Sequence, residues 1–167
     1  TRRDKFCSKW GLRPDRPIYT YLISSDSISG DEVKYVERWR DEMKEKYRFT
    51  QLVVRAHPDK AYFMTHIEGV TCIPPIAEGV FEPEAFQTAY DTYFYSEALY
   101  GINTSSMLEA SLAGRPVYKF EVDRDDTQKN CLHFQQINQI LGLDSPKLVK
   151  NWLGVDKKLP SDLVVEK

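Results

Sequence analysis

Five short apolar runs, separated by polar or helix-like segments, constrain the fold of this chain more than any other feature. The run from Ile18 to Ile23 is β-branched and aromatic without a polar alternation, which is typical of a strand covered on both faces. Between the runs, segments such as Asp31 to Tyr47 place apolar residues at helical spacing. This alternation predicts parallel strands joined by right-handed helical crossovers. The other four runs are Gln51 to Arg55, Val70 to Ile73, Ala98 to Ile102 and Pro116 to Val122.

The predicted architecture is α/β and Rossmann-like, with three α/β/α layers and a mostly parallel sheet of about five strands. A chain of 167 residues is long enough for one such domain with a sizeable core. We expect this domain to span residues 1–155, and residues 156–167 to form a polar carboxyl-terminal tail. Helices are predicted within residues 1–17 and over Asp31 to Tyr47, Asp59 to Glu68, Glu84 to Ser96, Met107 to Ala113, Cys131 to Leu141 and Ser145 to Leu153.

Charge and composition limit the kinds of partner. The net charge of −2 gives no global basic field, so we expect no nucleic acid partner, and an anionic ligand needs a local pocket. No apolar run approaches the roughly 18 residues of a membrane helix, so we expect no transmembrane segment, no signal peptide and a cytoplasmic location. Cys7, Cys72 and Cys131 form no CxxC pair, which predicts thiols instead of a disulfide framework. We expect neither a metal site nor a cofactor.

The strongest candidate site begins where the fourth predicted strand ends. Ligands of open parallel sheets bind outside the carboxyl ends of the strands, and small polar residues follow this strand. Backbone N–H groups at a helix start, together with the helix dipole, favour phosphate, and a glutamate one turn further on can accept hydrogen bonds from a ribose diol. The alternative is that Thr104 or Ser105 only caps the helix, while Glu109 completes a capping box or faces solvent. The candidate residues are Asn103, Thr104, Ser105, Ser106 and Glu109.

Two further pairs follow other predicted strands. Arg55 and His57 are two residues apart on an extended segment, so both side chains can face one cleft, where arginine and histidine suit phosphate. The alternative is a surface arginine and a histidine that holds a loop. Ser24 and Ser25 offer hydroxyls near a phosphate, or form a plain turn. The sequence contains neither GxGxxG nor GxxxxGK[ST], which argues against an ordinary NAD site and a P-loop.

Several other polar or aromatic residues favour structural roles. His133 is a possible cleft residue, but its context favours helix packing. The aromatic residues of the helix over Glu84 to Ser96 favour core packing over a base-stacking platform, and Asp31 and Glu32 are interpreted as solvated charge.

The run from Tyr100 to Val117, YGINTSSMLEASLAGRPV, resembles the carboxyl-terminal domain of GT-B glycosyltransferases, and is most similar to bacterial surface- and capsular-polysaccharide enzymes. In that pattern a strand ends in a small-residue turn, a helix carries Glu-Ala, and Gly-x-Pro-Val begins the next strand. The segment Val54 to Pro58, VRAHP, resembles the R-x-H-P element of polymer-forming transferases. The opening LRPDRPI of Leu12 to Ile18, followed by Ser24 and Ser25, resembles the entry to the same domain. Together these segments cover about residues 10 to 140.

The resemblance implies a domain that binds a nucleotide-diphosphate sugar of the UDP or CDP type. Carried over by position, Ser105 and Ser106 contact the pyrophosphate and Glu109 the ribose, while Ser24, Arg55 and His57 line the same cleft. The catalytic base of such enzymes usually comes from an amino-terminal acceptor-binding domain, so this chain is expected to be catalytically incomplete alone. The alternatives are a stand-alone nucleotide-binding or scaffold domain without catalysis, and a relative that acts as a sugar-nucleotide epimerase or a polyol-phosphate transferase.

Overall fold

The computed structural model describes residues 1–24, 32–56, 67–73, 85–102, 104–120 and 149–152. Four of the predicted site residues lie outside these ranges, namely Ser25, His57, Asn103 and His133. The helix predicted over residues 131–141, the tail predicted over residues 156–167 and Cys131 also lie outside them, as do residues 59–66 of the helix predicted over residues 59–68.

A single parallel sheet organises the described residues. It contains six strands in the order β3-β2-β1-β4-β5-β6, and every neighbouring pair is parallel. The chain therefore builds outward from β1 to β3 and then returns to the centre of the sheet to place β4 beside β1. The strands are β1 (Ile18–Leu22), β2 (Gln51–Arg55), β3 (Thr71–Ile73), β4 (Ala98–Gly101), β5 (Val117–Phe120) and β6 (Val149–Trp152).

Helices cover both faces of the sheet, which confirms the three-layer α/β/α prediction. Helix α2 packs on one face, where Val36, Trp39 and Met43 meet the inward-facing residues of β1, β2 and β4. The opposite face carries α1, α3 and α4, with Phe6 of α1 and Met107 of α4 among the buried side chains. The described helices are α1 (Arg2–Trp10), α2 (Val33–Lys46), α3 (Ala85–Tyr95) and α4 (Ser105–Leu112).

The layer beneath α2 consists largely of aromatic rings. Trp39 is fully buried, and its ring centroid lies 5.6 Å from that of Tyr21 and 5.7 Å from that of Tyr100. Tyr118 continues the row, 5.3 Å from Tyr100. All five residues of β1 are buried, as expected of a strand covered on both faces. Large rings bury much apolar area at a modest cost in side-chain entropy, so this layer contributes strongly to the stability of the sheet.

The end of the described chain departs from the sequence prediction. A helix was expected over residues 145–153, but residues 149–152 form the edge strand β6, which pairs with β5 from Val117↔Val149 to Phe120↔Trp152. A short apolar segment does not distinguish helix from strand by its periodicity. The available hydrogen-bonding edge of β5 decides the matter, because each N–H and C=O of a strand needs a partner.

The two central strands approach each other closely where β4 ends. An added Cβ atom on Gly101 would lie 2.9 Å from the Leu22 carbonyl oxygen and 2.9 Å from Met107 Sδ. Glycine is therefore required for steric reasons, because it lets the start of α4 pack directly over the ends of β1 and β4.

We predict that alanine at Gly101 lowers the free energy of unfolding by about 1–3 kcal/mol, the usual cost of overpacking. The thioether of Met107 can move aside, but the Leu22 carbonyl belongs to the sheet and cannot. Urea unfolding of Gly101→Ala measures the effect, with the exposed Leu112→Ala variant as a control that should change stability by less than about 0.5 kcal/mol. An unchanged midpoint for Gly101→Ala would contradict the steric account.

We also predict that the protein loses stability at alkaline pH. Burial raises the pKa of Tyr19 to about 12, and raises the pKa values of Tyr21 and Tyr100 well above the ordinary 10.0. Their phenols are protonated in both states below pH 10, so their full contribution is present there. Above pH 10 the unfolded state releases these protons first, and stability falls as the pH rises toward the folded-state values.

Urea unfolding followed between about pH 8 and pH 11, together with tyrosinate absorbance, tests this prediction. The decline should be less steep in Tyr100→Phe, which removes one of the buried ionisable groups. Ionisation of every tyrosine near pH 10 in a protein that remains folded would show that these phenols are not protected by burial.

Candidate functional site

The carboxyl ends of β1 and β4 define the candidate site. The strand order reverses between these two strands, since β1 continues to β2 on one side and β4 continues to β5 on the other. Connections leave the sheet in opposite directions at such a point, and the crevice between them is the usual ligand site of open α/β sheets. Gly101 and Leu22 are register partners at this edge, and Arg55 pairs with Leu22 on the other side.

The first turn of α4 lies directly above this edge. Thr104 is the N-cap, in an extended conformation, and its side chain accepts a hydrogen bond from the Ser106 N–H at 3.4 Å. The Thr104 carbonyl accepts from the Met107 N–H at 3.0 Å. Ser105 is exposed and Ser106 is half-buried. The cap therefore engages the helix start through a long side-chain bond, and Ser105 at the first helical position is exposed, where an anion can approach it.

Of the alternatives for this helix start, the capping role is confirmed for Thr104, and for Glu109 the capping box is wrong while its exposure is confirmed. With Thr104 as N-cap, the third helical position is Met107, so Glu109 lies too far along α4 for a capping box. Glu109 is exposed, but it does not simply face water. Its Oε2 accepts a hydrogen bond of 3.1 Å from the hydroxyl of Tyr93 on α3.

Tyr93 connects the candidate residues of α4 with each other. Its ring is buried against Leu99 and Met107, and its hydroxyl donates a hydrogen bond to Glu109. Ser106 lies near enough to affect the pKa of the same hydroxyl. Burial raises the pKa of Tyr93 to about 12; the hydrogen bond with Ser106 lowers that pKa, and the negative charge of Glu109 raises it. The phenol is therefore protonated at neutral pH and remains a hydrogen-bond donor.

Arg55 lies close enough to this group to influence it. Its positive charge lowers the pKa of Tyr93 and also the pKa of Cys72 on β3. Burial has the larger effect on both groups, and it raises the pKa of Cys72 to about 11. Arg55 is half-buried and ends β2, one strand removed from β4. Glu109 therefore contacts the Tyr93 hydroxyl directly, while Ser106 and Arg55 lower the pKa of that hydroxyl.

Ser24, whose hydroxyl was a candidate phosphate contact, is buried beside a glutamate. It follows β1, but it is fully buried, and its backbone N–H donates to Oε1 of Glu32 at 2.8 Å. The other oxygen of Glu32 accepts from the hydroxyl of Tyr21 at 3.1 Å. The interpretation of Glu32 as solvated charge is therefore wrong, because only 1% of this residue is exposed. A carboxylate that already uses the Ser24 N–H leaves this strand end poorly suited to a phosphate.

Sequence reasoning missed both Glu32 and Tyr93 as members of this region. Glu32 directly precedes the apolar periodicity of α2, where an acidic residue is ordinarily an exposed partner of the helix dipole. Core packing is the prediction for Tyr93 and the other rings of its helix, and it is confirmed for Tyr93. The same prediction is wrong for Tyr90 and Phe94, which are exposed. The spacing of a helix indicates which face is buried, but not what a phenol hydroxyl contacts in another helix.

Two observations limit other kinds of site. Among the residues that the structure describes, no group of three or more His, Cys, Asp and Glu side chains is arranged to hold a metal ion. None of the described helices has both the length and the apolar character that crossing a bilayer requires.

No protein-family model matches the sequence, and no curated protein matches it. Among solved structures, the wall teichoic acid polymerase TagF aligns at a TM-score of 0.50 with 15% identity, over 74% of this chain and 29% of that chain. TagF soaked with CDPG, as a variant, aligns at 0.50 with 17% identity, over 74% and 29%. KpsC of Thermosulfurimonas dismutans, a beta Kdo 2,7 transferase, aligns at 0.48 with 16% identity, over 98% and 50%.

This chain thus spans about 29% of the length of those TagF chains. At such identities the likeness concerns the fold, and at that level it confirms the resemblance carried by the YGINTSSMLEASLAGRPV run. The chain has a Rossmann-like α/β fold, which it shares with part of the wall teichoic acid polymerase TagF.

Proposed function

We propose that this domain binds the nucleoside-diphosphate part of an activated donor, of the CDP or UDP type, in the crevice above the ends of β1 and β4. The observation that carries the proposal is the hydrogen bond from the Tyr93 hydroxyl to Glu109, beside the first turn of α4, with Ser106 and Arg55 both near enough to lower the pKa of that phenol. A cation, a helix start and a carboxylate acceptor there match the pyrophosphate and the ribose of one ligand.

The electrostatics of the crevice favour a diphosphate near Ser105 and Ser106. The chain has a net charge of −2, so attraction must be local. The start of α4 contributes roughly half a positive charge from the helix dipole. Arg55 adds a full positive charge and can bind phosphate oxygens in a bidentate manner. Glu109 lies one turn further along α4, where its carboxylate can accept from the ribose hydroxyls without facing the phosphates directly.

The likeness to TagF independently supports a nucleoside-diphosphate ligand. The likeness to TagF covers 74% of this chain, and one TagF variant was soaked with CDPG, so a CDP-linked ligand is the first to test. Because the matched part is about 29% of TagF, we propose that acceptor binding and the catalytic base come from an amino-terminal partner domain. Under this proposal the domain acts in the cytoplasm in the synthesis of a cell-surface polysaccharide. Transfer of a polyol phosphate in place of a sugar uses the same crevice and is the second candidate.

We predict that CDP or UDP raises the melting temperature of the wild-type chain and that Ser106→Asp abolishes this shift. The new carboxylate would stand against the phosphate at the helix start, where like charges repel. Ser8→Asp on α1, an exposed serine in another helix, is the matched control and should bind like the wild type. Arg55→Gln should weaken binding about tenfold or more, as expected for the loss of a charge-assisted hydrogen bond.

Thermal shift and isothermal titration calorimetry with millimolar nucleotide measure these effects. A folded wild-type sample without any shift would contradict nucleotide binding altogether. Binding that is equally strong in Ser106→Asp would place the ligand elsewhere in the fold. Binding of the donor without transfer, after an acceptor-binding domain is supplied, would favour the scaffold alternative over a transferase.

A further inference from the structure

The contact between α3 and α4 assigns a role to a residue that the motif does not include. We propose that Tyr93 is a positioning residue, whose hydroxyl fixes the Glu109 carboxylate for the ribose diol and makes the site selective for ribonucleotides. The inference rests on the proposed function and goes beyond it. It concerns how the Glu109 carboxylate is oriented, and whether the site prefers a ribose to a deoxyribose in the bound nucleotide.

The first argument is the difference in mobility between the two partners. Tyr93 is 1% exposed and packs against Leu22, Leu99 and Met107, so its ring has little freedom. Glu109 is exposed and has three side-chain torsions, so it loses considerable entropy when a ligand orders it. A hydrogen bond of 3.1 Å from the fixed phenol to Oε2 restricts the carboxylate before any ligand arrives. Such preorganisation reduces the entropic cost of binding.

The second argument is the count of donors and acceptors. The single proton of the Tyr93 hydroxyl is directed to Oε2 of Glu109. An ionised carboxylate offers about four lone-pair positions, of which the phenol occupies one. Oε1 and the remaining capacity of Oε2 are therefore left for the two hydroxyls of a ribose diol, which is a donor of two parallel hydrogen bonds.

The third argument is protonation. A phenol can orient a carboxylate only while it keeps its proton, and burial raises the pKa of Tyr93 to about 12 despite the opposing effects of Ser106 and Arg55. Glu109 itself adds to this increase through its negative charge. The phenol therefore remains a neutral donor throughout the neutral range, and a hydrogen bond donated to a carboxylate is of the stronger type.

The packing role of Tyr93 can be separated from its hydroxyl. Tyr93→Phe keeps the ring among Leu22, Leu99 and Met107 and removes only the donor, whereas Glu109→Gln removes the charge that the diol needs. The decisive measurement is calorimetric affinity for CDP and for 2′,3′-dideoxy-CDP in the wild type, Tyr93→Phe, Glu109→Gln and the double variant.

We expect the wild type to prefer CDP by about tenfold, as for one or two hydrogen bonds to a charged group. Tyr93→Phe should lose about threefold to tenfold in affinity for CDP and retain its affinity for dideoxy-CDP. Glu109→Gln should abolish the preference, and the double variant should behave like Glu109→Gln alone. A residue that only supports the fold would instead lower the affinity for both nucleotides by the same factor, and that result would overturn the proposal.

Two other results would also overturn it: unchanged affinities in Tyr93→Phe, or a preference for CDP that persists in Glu109→Gln. If Tyr93→Phe does not fold, Glu109→Asp serves instead. This variant keeps the carboxylate at an exposed position, but its side chain is one methylene too short to meet the phenol. It should show the same selective loss of affinity for CDP. A wild type that binds neither nucleotide would refute the proposed function, whereas a wild type that binds both equally would refute only the assignment of Glu109 and Tyr93.

Discussion

The close parallel pairing of β1 and β4 is the constraint on which the rest of this structure depends. The chain forms three strands outward from β1 and then returns to place β4 against its other side, so the middle of the sheet joins segments about 80 residues apart in sequence. Gly101 makes the end of this pairing possible, since any side chain would meet the Leu22 carbonyl and the Met107 thioether. The same close contact places the first turn of α4 over the strand ends, where a ligand of such a sheet is expected.

Packing on the two faces serves different purposes. Beneath α2, the rings of Tyr21, Trp39 and Tyr100 form a dense aromatic layer that holds the central strands together. On the opposite face, α3 and α4 bury smaller aliphatic groups, and the hydroxyl of Tyr93 on α3 donates a hydrogen bond to Glu109 on α4. The first face contributes mainly stability, while the second also positions polar groups at the sheet edge.

The buried carboxylate of Glu32 makes the two central strand ends chemically unlike. At β1, Glu32 accepts from the Ser24 N–H and from the Tyr21 hydroxyl, so that N–H is already engaged. At β4, the start of α4 is capped by Thr104 with one long bond, and Arg55 stands nearby. The two central strand ends therefore differ: Ser24 is buried with its N–H already engaged, whereas Ser105 is exposed at the start of α4.

The sequence by itself determined the alternation of strands and helices, since a buried parallel strand such as Ile18–Leu22 needs apolar residues on both faces and an amphipathic helix such as Val33–Lys46 needs one apolar face. It also placed Thr104, Ser106 and Glu109 at the start of a helix after a strand. Only the tertiary structure decided that residues 149–152 pair as a strand, that Glu32 is buried, and that Tyr93 holds Glu109. These features depend on contacts between segments distant in the chain, and local periodicity records which face of a segment is apolar but not which group meets it.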